Sequence, residues 1–120
     1  MIEKVNLAEK FAAISQYWKP GIVGELNDVY VKLVRIKGEF VWHRHDDEDE
    51  LFLVLHGSLE MRLRDGCVTV NAGEFIIVPR AVEHCPIARE ETHVLLVEPK
   101  TTRNTGNVQN ERTVEQLDWI

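Results

Sequence analysis

The chain opens with apolar residues at helical spacing. Leu7, Phe11, Ile14 and Trp18 recur at intervals of four, three and four, forming one stripe along NLAEKFAAISQYWKPG. Asn6 suits an N-cap, Glu9 stands three residues on as a capping box requires, and Pro20-Gly21 ends the segment. The pattern predicts a short amphipathic helix, too short to be stable without a surface to pack on.

Beyond Gly21 the apolar residues follow strand patterns. VYVKLVRI (29–36), FVWHRH (40–45), LFLVLH (51–56), LEMRLR (59–64), CVTV (67–70), EFIIVP (74–79) and HVLLVE (93–98) read as strands. Asn27-Asp28, Gly57-Ser58, Asp65-Gly66, Ala72-Gly73 and Pro79 punctuate them. Short strands at such regular intervals predict an all-β sandwich or barrel. Arg64-Asp65-Gly66-Cys67 predicts a hairpin with Asp-Gly in a type I′ turn. LFLVL is apolar on both faces, so its outer face needs a cover: the N-terminal helix, another sheet or another subunit. The tail, 99–120, is polar until Leu117, Trp119 and Ile120, which predicts a segment lying over the surface and docking its end. Neither a repeat nor a second domain is visible, and 1–120 reads as one domain.

Charge narrows the partners. A net charge of -6 argues against nucleic acid and anionic membranes, which reward Lys/Arg surfaces. No segment remains for a DNA-binding helix pair. The longest apolar run, Leu51 to Leu55, is far short of a membrane span, and MIEKVN lacks a signal-peptide profile. Cys67 and Cys85 fit neither a redox pair nor a zinc knuckle, and read as small hydrophobes in a reducing compartment. A soluble cytoplasmic protein is therefore expected.

Candidate chemistry is concentrated in FVWHRHDDEDELFLVLHG. His43 and His45 are two apart, so on an extended chain both imidazoles point to one face. Asp46 to Asp49 are poor strand formers with like charge, and read as a solvated turn. Glu50 then opens the next strand on the face of Phe52, Val54 and His56, and enters the same interior as the histidines. His84 follows a segment bounded by Gly73 and Pro79.

These residues resemble the two motifs of the cupin family. Gly38, His43, His45, Glu50 and Gly57 fill the first motif, with a four-residue spacer after Gly38 where five is usual. Gly73, Pro79 and His84 fit the second, while Ala81 and Ala88 replace its glycine and asparagine. The resemblance implies a small double-stranded β-helix, or jelly-roll barrel. In it 38–88 carry the motifs, 1–20 form a helical flank and 99–120 a tail. It implies a divalent transition metal held by His43, His45, Glu50 and His84, with Glu48 as the rival carboxylate. Imidazole with carboxylate suits Fe, Mn, Ni, Zn or Cu rather than the all-oxygen sites of Ca or Mg.

The function implied is a metal-dependent enzyme acting on a small molecule. It would be an oxygenase on a small organic compound, or an isomerase of a sugar or carbonyl compound, with Glu50 able to act as a base. The alternative is a non-catalytic module that binds a metal or small ligand. A homodimer is expected, as in other small cupins. Arg62, Arg64 and Arg80 are candidates for an anionic substrate or for surface ion pairs. His56 is expected to support or pack against the site, His93 to be a surface or core histidine, and Tyr30 and Trp42 to pack.

Overall fold

A computed structural model describes residues 2–120. The elements are α1 (Leu7–Ala13), β1 (Gly21–Leu26), β2 (Val29–Glu39), β3 (Glu50–His56), β4 (Ser58–Leu63), β5 (Gly66–Asn71), β6 (Phe75–Val78) and β7 (His84–Pro99). All strand pairs are antiparallel, in the order β1-β2-β7-β3-β6, with β4 pairing both β5 and β7. The chain is thus mostly β with one short helix, a jelly-roll barrel as the motifs implied.

β7 is the strand on which closure depends. Its second half, Thr92 to Pro99, lies between β2 and β3, and its first half, His84 to Ile87, pairs with β4. The inward residues close around Val34, Ile36, Phe52, Val54, Leu59, Met61, Val78, Val94 and Leu96. Val54, Leu59, Met61 and Val94 are fully buried there. β7 begins nine residues earlier than the HVLLVE pattern suggested, because 84–92 pair through their backbone while carrying Pro, Arg and Glu side chains.

The helix forms where Asn6 caps it, its side-chain oxygen accepting from the Glu9 amide at 3.0 Å. It ends at Ala13, earlier than the apolar stripe predicts, with Ile14 already extended. Leu7, Phe11 and Ile14 pack on Val23 and Leu33, covering the outer face of β1 and β2. Trp18 leaves the stripe. It takes a left-handed φ of 64°, donates from Nε1 to the Lys37 carbonyl and stacks on Phe40. Its amide donates to the Arg35 carbonyl, so a tertiary contact has replaced the last helical turn.

Three further expectations change. FVWHRH is not a strand: only the bridge between His43 and His84 forms. The Phe40 amide donates to the Pro86 carbonyl, but Pro86 has no N–H to return, so the ladder is interrupted. The hairpin turn consists of Arg64 and Asp65, with Leu63 opposite Gly66. Neither residue has a positive φ, so the type I′ turn expected at Asp-Gly is absent. GIVGEL, which is interrupted by glycine, is nevertheless the edge strand β1. The tail does dock its end, with Ile120 over Gly21 and its amide donating to the Ile22 carbonyl.

Gly57 and Gly38 both adopt left-handed backbone, at φ 85° and 87°. A Cβ at Gly57 would also stand 2.5 Å from Thr92 Oγ1 and 2.8 Å from the Glu91 carbonyl, whereas Gly38 has open space. Gly38→Ala should therefore cost about 1 kcal/mol through backbone strain alone. Gly57→Ala should cost clearly more, because β3 and β7 must separate. Urea denaturation midpoints of the two variants check this, and equal losses would contradict it.

Candidate metal centre

His43, His45, Glu50 and His84 are brought together from three parts of the chain. Each offers one ligand atom, and these atoms lie within 4.8 Å of one another. All four side chains are buried, none more than 4% exposed. The His43–His84 bridge sets two of them side by side: each amide donates to the other's carbonyl, at 3.0 and 2.9 Å. His45 is anchored by its carbonyl, which accepts from the Ala81 amide at 2.7 Å. Ala81 stands where the second motif has glycine, and it keeps the left-handed conformation, φ 66°. The departure from the motif therefore leaves the turn intact.

The ring orientations are set by backbone carbonyls. His43 Nδ1 donates to Val41 at 2.8 Å and His84 Nδ1 to Val82 at 2.9 Å, leaving Nε2 of His84 without a hydrogen-bond partner. His45 differs, because neither of its ring nitrogens has a hydrogen-bond partner. Glu50 Oε1 lies 2.9 Å from His45 Nε2 and 3.3 Å from His84 Nε2 without hydrogen-bond geometry to either. Converging acceptor atoms with no donor between them would be costly to bury. A divalent cation would satisfy them together, and the donor set is of the imidazole and carboxylate kind that transition metals take. The residues present therefore fit a metal ion.

The other acids of the opening run stay outside this group. Asp46 pairs with Arg44, and Asp49 accepts from the Arg80 amide. Glu48 accepts from Thr101 Oγ1 at 2.8 Å and lies away from the histidines. The three arginines considered for an anionic ligand also lie outside. Arg62 is exposed, Arg64 stacks 3.9 Å over Trp42 and pairs with Glu83, and Arg80 pairs with Asp49. His56 does not share the inward position of Glu50. The register of β3 on β7 shifts between Val54 and His56, turning His56 outward against His93. His93 in turn stacks on Phe11 and hydrogen-bonds Glu91.

Two charged residues inside the barrel were not singled out from sequence. Lys32 Nζ donates to Glu98 Oε1 at 2.7 Å, and both are 2% exposed. Glu98 lies opposite Glu50, one step beyond the Leu51–Val97 pair. Burial pushes the Glu98 carboxyl well above the usual carboxylate range, and the charge of Glu50 adds to this. Burial acts the same way on Glu50, but the influence of its neighbours Glu98, His45 and His84 outweighs it and holds Glu50 well below that range. Period-two parity could have found both residues, since Lys32 aligns with Val34 and Glu98 with Leu96.

His43, Glu50 and Glu98 face an interior pocket walled by Trp18, Phe40, Phe52 and Val94. Its volume is about 50 Å3, enough for roughly three or four waters. No lysine or arginine lines it.

Comparisons with known proteins bear on the family and the fold. A model of the cupin domain matches residues 32–99. A cupin-2 domain protein of Shewanella frigidimarina NCIMB 400 is 44% identical, with a TM-score of 0.79 over 80% of this chain and 94% of that one. The uncharacterised protein YdbB of Bacillus subtilis is 37% identical over 65% of this chain and 70% of its own. More distantly, the hydroquinone 1,2-dioxygenase PnpCD, solved with Cd2+ and 4-hydroxybenzonitrile, shares the fold. It is 17% identical, with a TM-score of 0.65 over 76% of this chain and 69% of that one.

The imidazole of His43 is pushed down to about 4, first by burial and then by the neighbouring His84, with the Val41 carbonyl acting in the opposite sense. An unfolded histidine protonates near 6.5. Between these values the unfolded chain binds the extra proton, so stability rises with pH across that window. Metal-free protein should therefore lose unfolding free energy as pH falls from about 6.5 towards 4. His43→Gln should flatten that slope, which denaturant titrations at several pH values measure. An unchanged slope would contradict the assignment.

Proposed function

The chain belongs to the cupin family, and from that premise we propose that it is a metal-dependent enzyme acting on a small organic compound. The ligands would be His43, His45 and His84 through imidazole nitrogen and Glu50 through carboxylate oxygen. The supporting observation is the convergence of four buried ligand atoms, three of them without hydrogen-bond partners, beside a pocket whose other walls are apolar and aromatic except for Glu98 and Asn104. A bound divalent ion would act as a Lewis acid or support oxidation by dioxygen.

The chain's own residues do the rest. Trp18, Phe40 and Phe52 exclude water and limit the substrate to a small, largely apolar molecule. Glu98, opposite Glu50 in the wall, is tied down by Lys32 and would keep the carboxyl layer in place. Glu50 is the catalytic carboxylate of this reading. The pocket lacks a cationic side chain, which favours an oxygenase on an uncharged organic compound over an isomerase of a phosphorylated sugar. The PnpCD dioxygenase indicates that the fold accommodates such chemistry. A cytoplasmic location suits the two unpaired cysteines, and no described helix is long and apolar enough to cross a membrane.

Elemental analysis of protein purified without added metal tests the site. The wild type should carry about one transition ion per chain, His45→Ala should lose it, and Glu50→Gln should lose occupancy while Glu48→Gln keeps it. No stoichiometric metal, even after reconstitution, would sink the reading. Dioxygen uptake by iron-loaded protein with a panel of small uncharged phenols then tests turnover. Tight binding without turnover would favour a non-catalytic module.

We also propose a homodimer. Leu51 and Leu53 of β3 pair with Ile77 and Phe75 of β6, and their outer face lies beyond the helix. Phe75 is 61% and Ile77 52% exposed, an apolar surface that a second copy would cover. Sedimentation at micromolar concentration should give a dimer, and Ile77→Lys should give a monomer. A monomeric wild type would refute this.

A further inference from the structure

A roomy cavity lies away from the metal group. It is a crevice of about 510 Å3 between one end of the barrel and the C-terminal tail. Tyr30, Lys32, Lys100, Thr102, Arg103 and Trp119 line it. Its wall towards the metal pocket is the Lys32–Glu98 ion pair, since Lys32 borders the crevice and Glu98 the pocket.

Two buried polar side chains in this lining are incompletely matched. Thr102 is 7% exposed, and its Oγ1 has no hydrogen-bond partner. Lys32 Nζ has three donors, and its one partner among the described residues is Glu98. A buried hydroxyl and a buried ammonium with spare donors call for an acceptor. Charge points the same way. Lys32, Lys100 and Arg103 face one carboxylate in the lining, Glu115, although the chain as a whole carries -6. Lys100 pairs with Glu25, and Arg103 lies 3.6 Å from Glu115. Glu25 and Glu115 are exposed, so an incoming anion can compete with both carboxylates, while Arg103 also donates to the Gly106 and Val108 carbonyls and is held in place by them.

The remaining walls are aromatic. Tyr30 and Trp119 meet edge to face at 5.9 Å, and Trp119 is 56% exposed, leaving ring surface free at the mouth. Lys100 and Lys32 both stand over the Tyr30 ring, 5.3 and 6.0 Å from its centroid, so the free ring surface is that of Trp119.

We propose that this crevice is a second binding site, for a small planar organic anion whose carboxylate meets Thr102, Lys32 and Arg103 and whose ring lies against Trp119. The site is independent of the metal group and needs no ion there.

Benzoate is the probe. It is titrated into full-length protein by isothermal calorimetry, with amide and indole N–H shifts followed by NMR. Saturable binding of about one benzoate per chain is expected, with shifts at Thr102, Tyr30 and the Trp119 indole. Arg103→Gln and Thr102→Val should each weaken binding by about tenfold, the loss of one hydrogen bond to a charged group. Trp119→Ala should weaken benzoate more than acetate, which has no ring. Thr102 is buried and Arg103 braces the tail, so circular dichroism and the NMR spectrum of each free variant check that its fold is kept. His45→Ala should leave benzoate binding unchanged, which separates this site from a carboxylate on the metal. The proposal is overturned by non-saturable binding, by binding that His45→Ala abolishes, or by phosphate binding as tightly as benzoate.

Discussion

Three imidazoles and a carboxylate, buried with their acceptor atoms facing one another, are the constraint around which this barrel is organised. Unpaired acceptors of this kind would each cost on the order of 1–3 kcal/mol if left unsatisfied. The backbone nevertheless holds them in place. The two-way hydrogen bond between His43 and His84 fixes one pair, and the Ala81 amide holds His45. The carbonyls of Val41 and Val82 fix the rings of His43 and His84. A divalent cation at the centre would satisfy these atoms together.

A second polar layer lies behind the first. Glu98 sits opposite Glu50, and Lys32 donates to Glu98, all inside an otherwise apolar barrel. Two carboxyls opposite one another repel unless one is neutral. Accordingly the Glu98 carboxyl is pushed above the usual carboxylate range and that of Glu50 is held below it. Lys32 also borders the crevice beneath the tail, so the interior polar residues run from the metal group to the opposite end of the barrel.

Much of this was legible from residue spacing. Period-two parity placed His43 and His45 on one face, and motif spacing selected Glu50, where the chain turns back into a strand. Asp46 to Asp49 remain in the loop between them. Parity failed where the ladder is irregular. The bulge after Val54 turned His56 out, and Pro86 interrupted the strand expected at FVWHRH. Trp18 left its helical stripe for a contact with Phe40 that no local pattern encodes. Lys32 and Glu98 were passed over because each is one charge in an apolar strand, and only pairing across β2, β3 and β7 shows that they meet. The uncovered face of β3 and β6 was anticipated from LFLVL alone, although the helix covers β1 and β2 instead.

The central claim is that the four buried side chains form one metal centre. Anomalous diffraction from crystals of manganese-loaded protein tests it most directly. The account predicts one strong peak at roughly 2.0–2.3 Å from a nitrogen of each of His43, His45 and His84 and an oxygen of Glu50. A peak at the surface acids Asp46 to Asp49, or none within coordination distance of the histidines, would contradict it.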